Sequence, residues 1–224
     1  MSFWTFSTDI LLLPVLKGTL VTLQLILLSV LPQFLIGNII AAGRVYGSRS
    51  LSFACRLFVG FFRGTPLLIQ LFILYYGLPS IGIYLEPMTA AVIGFSLCGG
   101  AYMSEYIRGA IQSIRQGQMQ AALSLGMSRI KAIVYITFPQ TLRRALPGCS
   151  NEVVYLIKYS SLAFMVTCLE LTGEGKIIAS RYFRYTQVFI VVGAVYLILV
   201  TIATRLLALL EKKLEIPGLE VSRH

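Results

Sequence analysis

The stretch QMQAALSLGMSRIKAIVYITFPQ, residues 118–140, decides how this chain is read. The sequence on either side of it suits lipid, but this segment does not. Arg129 and Lys131 stand in its middle, Gly126 punctuates it and Pro139 lies near its end. A membrane-crossing helix needs roughly 20 consecutive apolar residues, and this stretch is too polar and too interrupted to supply them. Residues 119–125 are good helix formers. Gly126 is a natural left-handed stop, and Ser128 can cap a second helix that opens at Arg129. Ile130, Ile133, Val134 and Phe138 recur there at helical spacing, and Pro139 is expected to interrupt the helix. Ala121 and Ala122 set small side chains beside the glycine, where another backbone can come close. The pattern predicts a short rigid docking element lying outside the bilayer.

Working outward, the chain turns apolar. Of its 224 residues 57% are hydrophobic and 12% charged, against about 25% charged in soluble domains. Residues 18–43, 64–85, 87–104 and 185–204 carry no charge, and 151–171 is broken only by Glu152, Lys158 and Glu170. The expected fold is an all-α integral membrane protein. It forms a single domain over 1–224 with five transmembrane helices, at about 18–43, 64–85, 87–105, 151–171 and 185–206. A loop at about 108–148 joins spans three and four. With five spans, 14 of the 19 Lys and Arg residues fall on one face and four on the other, with Lys158 inside a span. The positive-inside rule places the richer face, with the loop and the C-terminus, in the cytoplasm and the N-terminus outside. The net charge of +10 is thus a topology signal, and no nucleic-acid partner is expected. The first sixteen residues hold no Lys or Arg, so no cleavable signal peptide is expected.

Enzymatic chemistry finds no support. The one histidine is His224, and Cys55, Cys98, Cys149 and Cys168 are scattered, so neither a zinc spacing nor a disulfide framework appears. GEGKI (173–177) lacks the spacing of a phosphate loop. No catalytic residue, metal ligand or cofactor is expected in this chain.

The spacing Ala121-Ala122, three residues, Gly126, nine residues, Ile136, one residue, Phe138-Pro139 resembles the EAA loop of ABC importer permeases. Gln120 stands where Glu is usual there, and Phe138 where Leu is usual. GTLVTLQLILLSVL (18–31), FFRGTPLLIQLFILYYGLP (61–79), GAYMSEYIRGAIQSI (100–114) and IKYSSLAFMVTCLEL (157–171, with Ser160 in place of Thr) are similar to the polar amino-acid branch. The likeness runs over about residues 15–212. It implies a permease subunit of a type I ABC importer in a bacterial inner (plasma) membrane. Gln120, Ala121, Ala122, Gly126 and Pro139 would couple it to the ATPase. The implied partners are an identical or homologous permease, two ATPase subunits that bind ATP and Mg, a substrate-binding protein, an amino-acid substrate and the lipid bilayer. The competing readings are a permease for another small solute, which the Arg-Gly-Thr-Pro block disfavours, and an ATP-independent carrier or channel.

Arg63, Glu105, Lys158, Ser161 and Glu170 are the candidates for the pathway or for intramembrane ion pairs. For Arg63 two readings stay open: a headgroup contact at the interface, or a pair between helices or subunits. Lys158 can snorkel, pair with Glu105 or Glu152, or line the path. Glu170 is expected at the outer interface. The small tract Cys98-Gly99-Gly100-Ala101 is expected to let helices pack closely.

Overall fold

The computed structural model describes residue 6 and residues 10–214. The chain termini, whose sides of the membrane the charge count predicts, lie outside the described residues, as does His224. Among the described residues every regular element is helical. Two helices are long and apolar enough to cross a membrane: α1 (Leu12–Tyr46) and α9 (Tyr185–Leu214). Up to four spans result if each of two bent helix pairs counts as one. α1 is apolar on nearly every side, as befits a helix in lipid. Leu20, Leu27, Leu31 and Ile39 point outward while Leu25, Ser29 and Gln33 are buried.

Two of the expected spans are not single helices. The segment at 64–85 belongs to a broken unit. α2 (Arg49–Gly64) bends by 102° into α3 (Leu67–Phe72), which continues through a π-turn (Ile73–Gly77) and a 3-10 turn (Leu78–Ile81). Pro66 is the cause: a proline drives the residue before it out of the helical region, and Thr65 is extended at φ −110°, ψ 144°. The segment at 151–171 breaks as well. α7 (Phe138–Tyr159) passes into a 3-10 stretch (Ser160–Val166), and Thr167 then turns left-handed at φ 62° before α8 (Leu171–Tyr182). The hydroxyls of Ser160 and Ser161 donate to the Ile157 and Lys158 carbonyls, each at 2.7 Å. They compete with the α-helical ladder at that point.

Pro139 does not end the helix that opens at Arg129. α6 (Arg129–Ala132) enters a π-turn (Ile133–Thr137) and runs straight into α7. A proline in a helix interior loses one bond and clashes with the carbonyl four residues back. Here the ladder steps by five instead, with the Phe138 N–H donating to the Ile133 carbonyl. The wider turn takes up the ring.

The centre of the fold is α4 (Pro87–Ser113), which carries the most buried residues of any helix. It lies along α1, and contacts advance together from Gln33 with Gly99 to Gly37 with Met103, so the two run parallel. The small tract makes this possible. A Cβ on Gly100 would stand 2.6 Å from Ile36 Cγ2, and one on Gly99 2.5 Å from Gln33 Cδ. In lipid such packing, rather than escape from water, holds helices together. α7 completes the core, where Leu25, Leu71, Phe95, Leu156 and Val166 meet.

Candidate coupling surface and buried charge sites

The polar loop folds as two short helices around a tight cap. α5 (Gln116–Ser124) ends at Leu125, and Gly126 is left-handed at φ 80°. The Gly126 N–H donates to the Leu123 carbonyl at 3.0 Å and the Met127 N–H to the Ala122 carbonyl at 3.1 Å. These are the paired bonds of a Schellman cap. Ser128 then caps α6, its hydroxyl accepting from the Lys131 N–H at 3.4 Å. The first loop helix starts three residues earlier and ends one residue earlier than its propensities predict.

The loop is braced against the bundle. Gln140 Nε2 donates to Gln118 Oε1 at 2.9 Å and to the Ile136 carbonyl at 3.0 Å. Arg144 ties the end of α4 to α7 through the Ser113 carbonyl and hydroxyl at 2.8 and 2.9 Å. The Tyr46 phenol at the end of α1 reaches Thr137 in the π-turn. Ala122 is buried and faces inward, whereas Gln120, Ala121 and Gly126 lie on the open side and Pro139 is half-buried. Leu125 is 84% and Ile130 75% exposed. A groove of about 500 Å³ opens between α5 and the π-turn, with Gln118, Ala121, Leu125 and Ile136 in its walls. Such exposed apolar side chains on a polar, braced element are what a protein contact requires.

The candidate charges separate into distinct places. Glu105 gathers three arginines from three helices. It accepts from Arg44 of α1 and, at 2.7 and 2.9 Å, from Arg108 of its own helix, and lies 3.7 Å from Arg63 of α2. Arg63 also stands 5.0 Å from the Tyr102 ring. Arg63 and Glu105 are therefore together, joining α2 to α4 beside the loop. Lys158 is not part of this cluster and forms an ion pair with neither Glu105 nor Glu152. It is exposed, 5.1 Å from the Tyr155 ring. The Ser161 hydroxyl is used within the 3-10 turn.

Glu170, expected at the outer interface, is fully buried inside the bundle, where it caps α8. Its carboxylate accepts from the Thr172 and Gly173 N–H groups at 2.9 and 3.0 Å and from the Tyr196 hydroxyl at 2.6 Å. Three donors take the place of water around the buried carboxyl group. No sequence signal singles out Tyr196, a tyrosine in an apolar run, or Thr22, which accepts from the Leu171 N–H at 3.2 Å. Glu152, in the sequence only a possible partner for Lys158, is itself buried at 3% exposure.

The chain is similar to known transport proteins. Residues 33–216 match the family described as binding-protein-dependent transport system inner membrane component. The probable amino-acid ABC transporter permease protein YckA of Bacillus subtilis (strain 168) is 42% identical over 199 residues, 89% of this chain and 88% of the relative. The glutamine transport system permease protein GlnP of Escherichia coli (strain K12) is 33% identical over 202 residues, 89% of this chain and 92% of the relative. A crystal structure of an amino acid ABC transporter with histidines superposes with a TM-score of 0.86 at 30% identity, covering 95% of this chain and 99% of that one. An inward-facing MetNI methionine ABC transporter shares the fold, at 17% identity and a TM-score of 0.77 over 93% and 100% of the two chains. The family match spans well over half of the chain, so the chain belongs to the inner membrane components of binding-protein-dependent transport systems.

Proposed function

We propose that this chain forms half of the translocation path of an ATP-driven importer for polar amino acids, and that the loop around α5 is where it takes up the motion of an ATPase subunit. The observation that carries the coupling role is mechanical. α5 is closed by the Schellman cap at its C-terminal end and pinned to α7 by Gln140, Arg144 ties the residues just before it to α7, and α6 beyond the cap runs on through the π-turn into α7. A push on the exposed Ala121–Leu125 edge is therefore delivered to the helix that carries Glu152 and Lys158. Gln120, Ala121, Gly126 and Pro139 would shape that contact, with Ala122 seating α5 on the bundle.

The full assembly would pair this chain with an identical or homologous permease, since one bundle of this size does not enclose a wide path. Two ATPases would hold ATP and Mg at the loops, and a binding protein would deliver substrate on the other face. Five crossings are supported if α4 counts as a span. It is 27 residues, about 40 Å long, and most of its small residues between Ala90 and Ala110 are buried against other helices. With the basic face inside, the N-terminus is external and the C-terminus cytoplasmic. ATP binding and hydrolysis would shift the pair between inward- and outward-open states through their unequal affinity for the ATPase conformations. The relatives named for glutamine, nopaline and octopine transport support an amino-acid substrate over an unrelated solute.

The test is Ala121→Trp and Gly126→Val in the complete transporter. Both residues lie outside every proposed span, so membrane insertion is retained. ATPase co-purification falls and hydrolysis is uncoupled from uptake. Normal ATPase binding with normal import in either variant removes the loop from the coupling role.

A further inference from the structure

We propose that the Arg49–Arg56 side of α2 binds anionic phospholipid. This rests on the chain lying in a bilayer, but not on the coupling role of the loop. Arginines recur every seven residues along α2, at 49, 56 and 63. Seven residues are close to two helical turns, so the three form one stripe. Arg63 is engaged by Glu105 and Tyr102. Arg49 and Arg56 are exposed and have no acidic partner among the described residues, Arg56 lying only against the Phe53 ring at 6.0 Å. No Asp or Glu occurs between residues 44 and 85, so nothing nearby in sequence neutralises them.

The rest of the helix surface completes the site. Cys55 and Val59 are buried against the bundle. Phe53, Leu57 and Phe61 form an open apolar row beside the stripe, each more than half exposed. α2 thus has a packed side, a cationic stripe and an apolar row. The pair also sits at a definite level. Cys55 packs on Gly43 and the Ser52 hydroxyl donates to the Arg44 carbonyl, so Arg49 and Arg56 lie near the end of α1, where its apolar run stops.

A phospholipid supplies what both open sides lack. Its phosphate takes charge-assisted hydrogen bonds from the guanidinium groups, and its acyl chains lie along Leu57 and Phe61. A second copy of this chain fits poorly. A twofold contact brings the same patch against itself, which here sets arginine against arginine with no acid in the segment.

The experiment is native mass spectrometry of the complete transporter in equimolar phosphatidylglycerol and phosphatidylethanolamine. The wild type retains phosphatidylglycerol preferentially. Arg49→Gln and Arg56→Gln each lower that preference about five-fold, and the double variant about thirty-fold. Arg49→Lys/Arg56→Lys keeps most of it, and Arg143→Gln, on an exposed arginine elsewhere, keeps all of it. Glycerol 3-phosphate, which has a phosphate head and no tails, does not displace the lipid. Unchanged preference in the double glutamine variant overturns the proposal. Displacement by glycerol 3-phosphate would make the site a plain anion site and overturns it as well. A change in the number of permease copies would assign the face to protein, with the same consequence. ATPase co-purification, read on the same samples, separates these outcomes from failure of the coupling reading.

Discussion

Replacing Gly18 with alanine tests the contact that holds the broken fourth segment to α1. A Cβ at Gly18 would lie 2.7 Å from Leu171 Cα, 3.0 Å from Leu171 N and 3.1 Å from the Glu170 carbonyl carbon. All three are backbone atoms, so no side chain can swing aside. Carbon atoms settle at about 3.5–4.0 Å, so the corner must retreat by about 1 Å. Over-packing of this kind costs about 1–3 kcal/mol. The retreat also stretches the Leu171 N–H bond to the buried Thr22 hydroxyl, already 3.2 Å long, for about 0.5–1.5 kcal/mol more. The sum is about 1.5–4.5 kcal/mol. On the scale of soluble domains of this size that is a fall in Tm of roughly 3–18 °C. The assay is thermal unfolding of the purified permease in detergent, with Gly193→Ala as control. Gly193 has open space around its Cβ position, and alanine there gains up to about 1 kcal/mol of helix propensity. Gly18→Ala melting with the wild type while the control behaves as expected would refute the close packing of this corner.

Three further outcomes follow from the same geometry. Gly126→Asn is tolerated and Gly126→Val is not. The site has φ 80° and no neighbour within 4 Å of a Cβ, so the cost of about 1–3 kcal/mol is purely conformational and appears as weaker ATPase co-purification. Glu105→Gln leaves Arg44, Arg63 and Arg108 without their shared carboxylate. Because these groups are partly exposed, the loss is about 1–2 kcal/mol, read as a lower Tm and as faster hydrogen exchange at the junction of α2 and α4. Tyr196→Phe strips one of three donors from the buried Glu170 and costs about 1.5–3 kcal/mol, and the double variant Tyr196→Phe/Glu170→Gln costs less than the two single changes added together.

What could be read from the sequence follows the physics of each element. The apolar runs announced α1, α4 and α9 because a helix in lipid must be apolar over its exposed surface. Gly126 and Ser128 announced the cap geometry because few residues tolerate those backbone positions. The breaks at Thr65–Pro66 and Thr167 were harder to see. Pro66 was legible as a helix start, but hydropathy does not register the 102° turn before it. Pro139 reads as a stop in any α-helical ladder, and only the π-turn behind it lets the helix run on. Glu170 could not be placed because its donors come from its own cap and from Tyr196, 26 residues away. The split of Ala121 from Ala122, one outward and one inward, depends on how α5 is rotated against the bundle, which a pair of adjacent alanines does not encode.

The most direct test of the coupling account is a photo-crosslink from the tip of the loop. Leu125→Cys, at a position 84% exposed, is labelled with a benzophenone maleimide. The four native cysteines are buried and stay unlabelled under native conditions. On illumination of the complete transporter the account predicts one dominant adduct, between this chain and the ATPase subunit, with a yield that changes between nucleotide-free and ATP-bound states. Adducts only with lipid or with the second permease, and none with the ATPase in any nucleotide state, would contradict it.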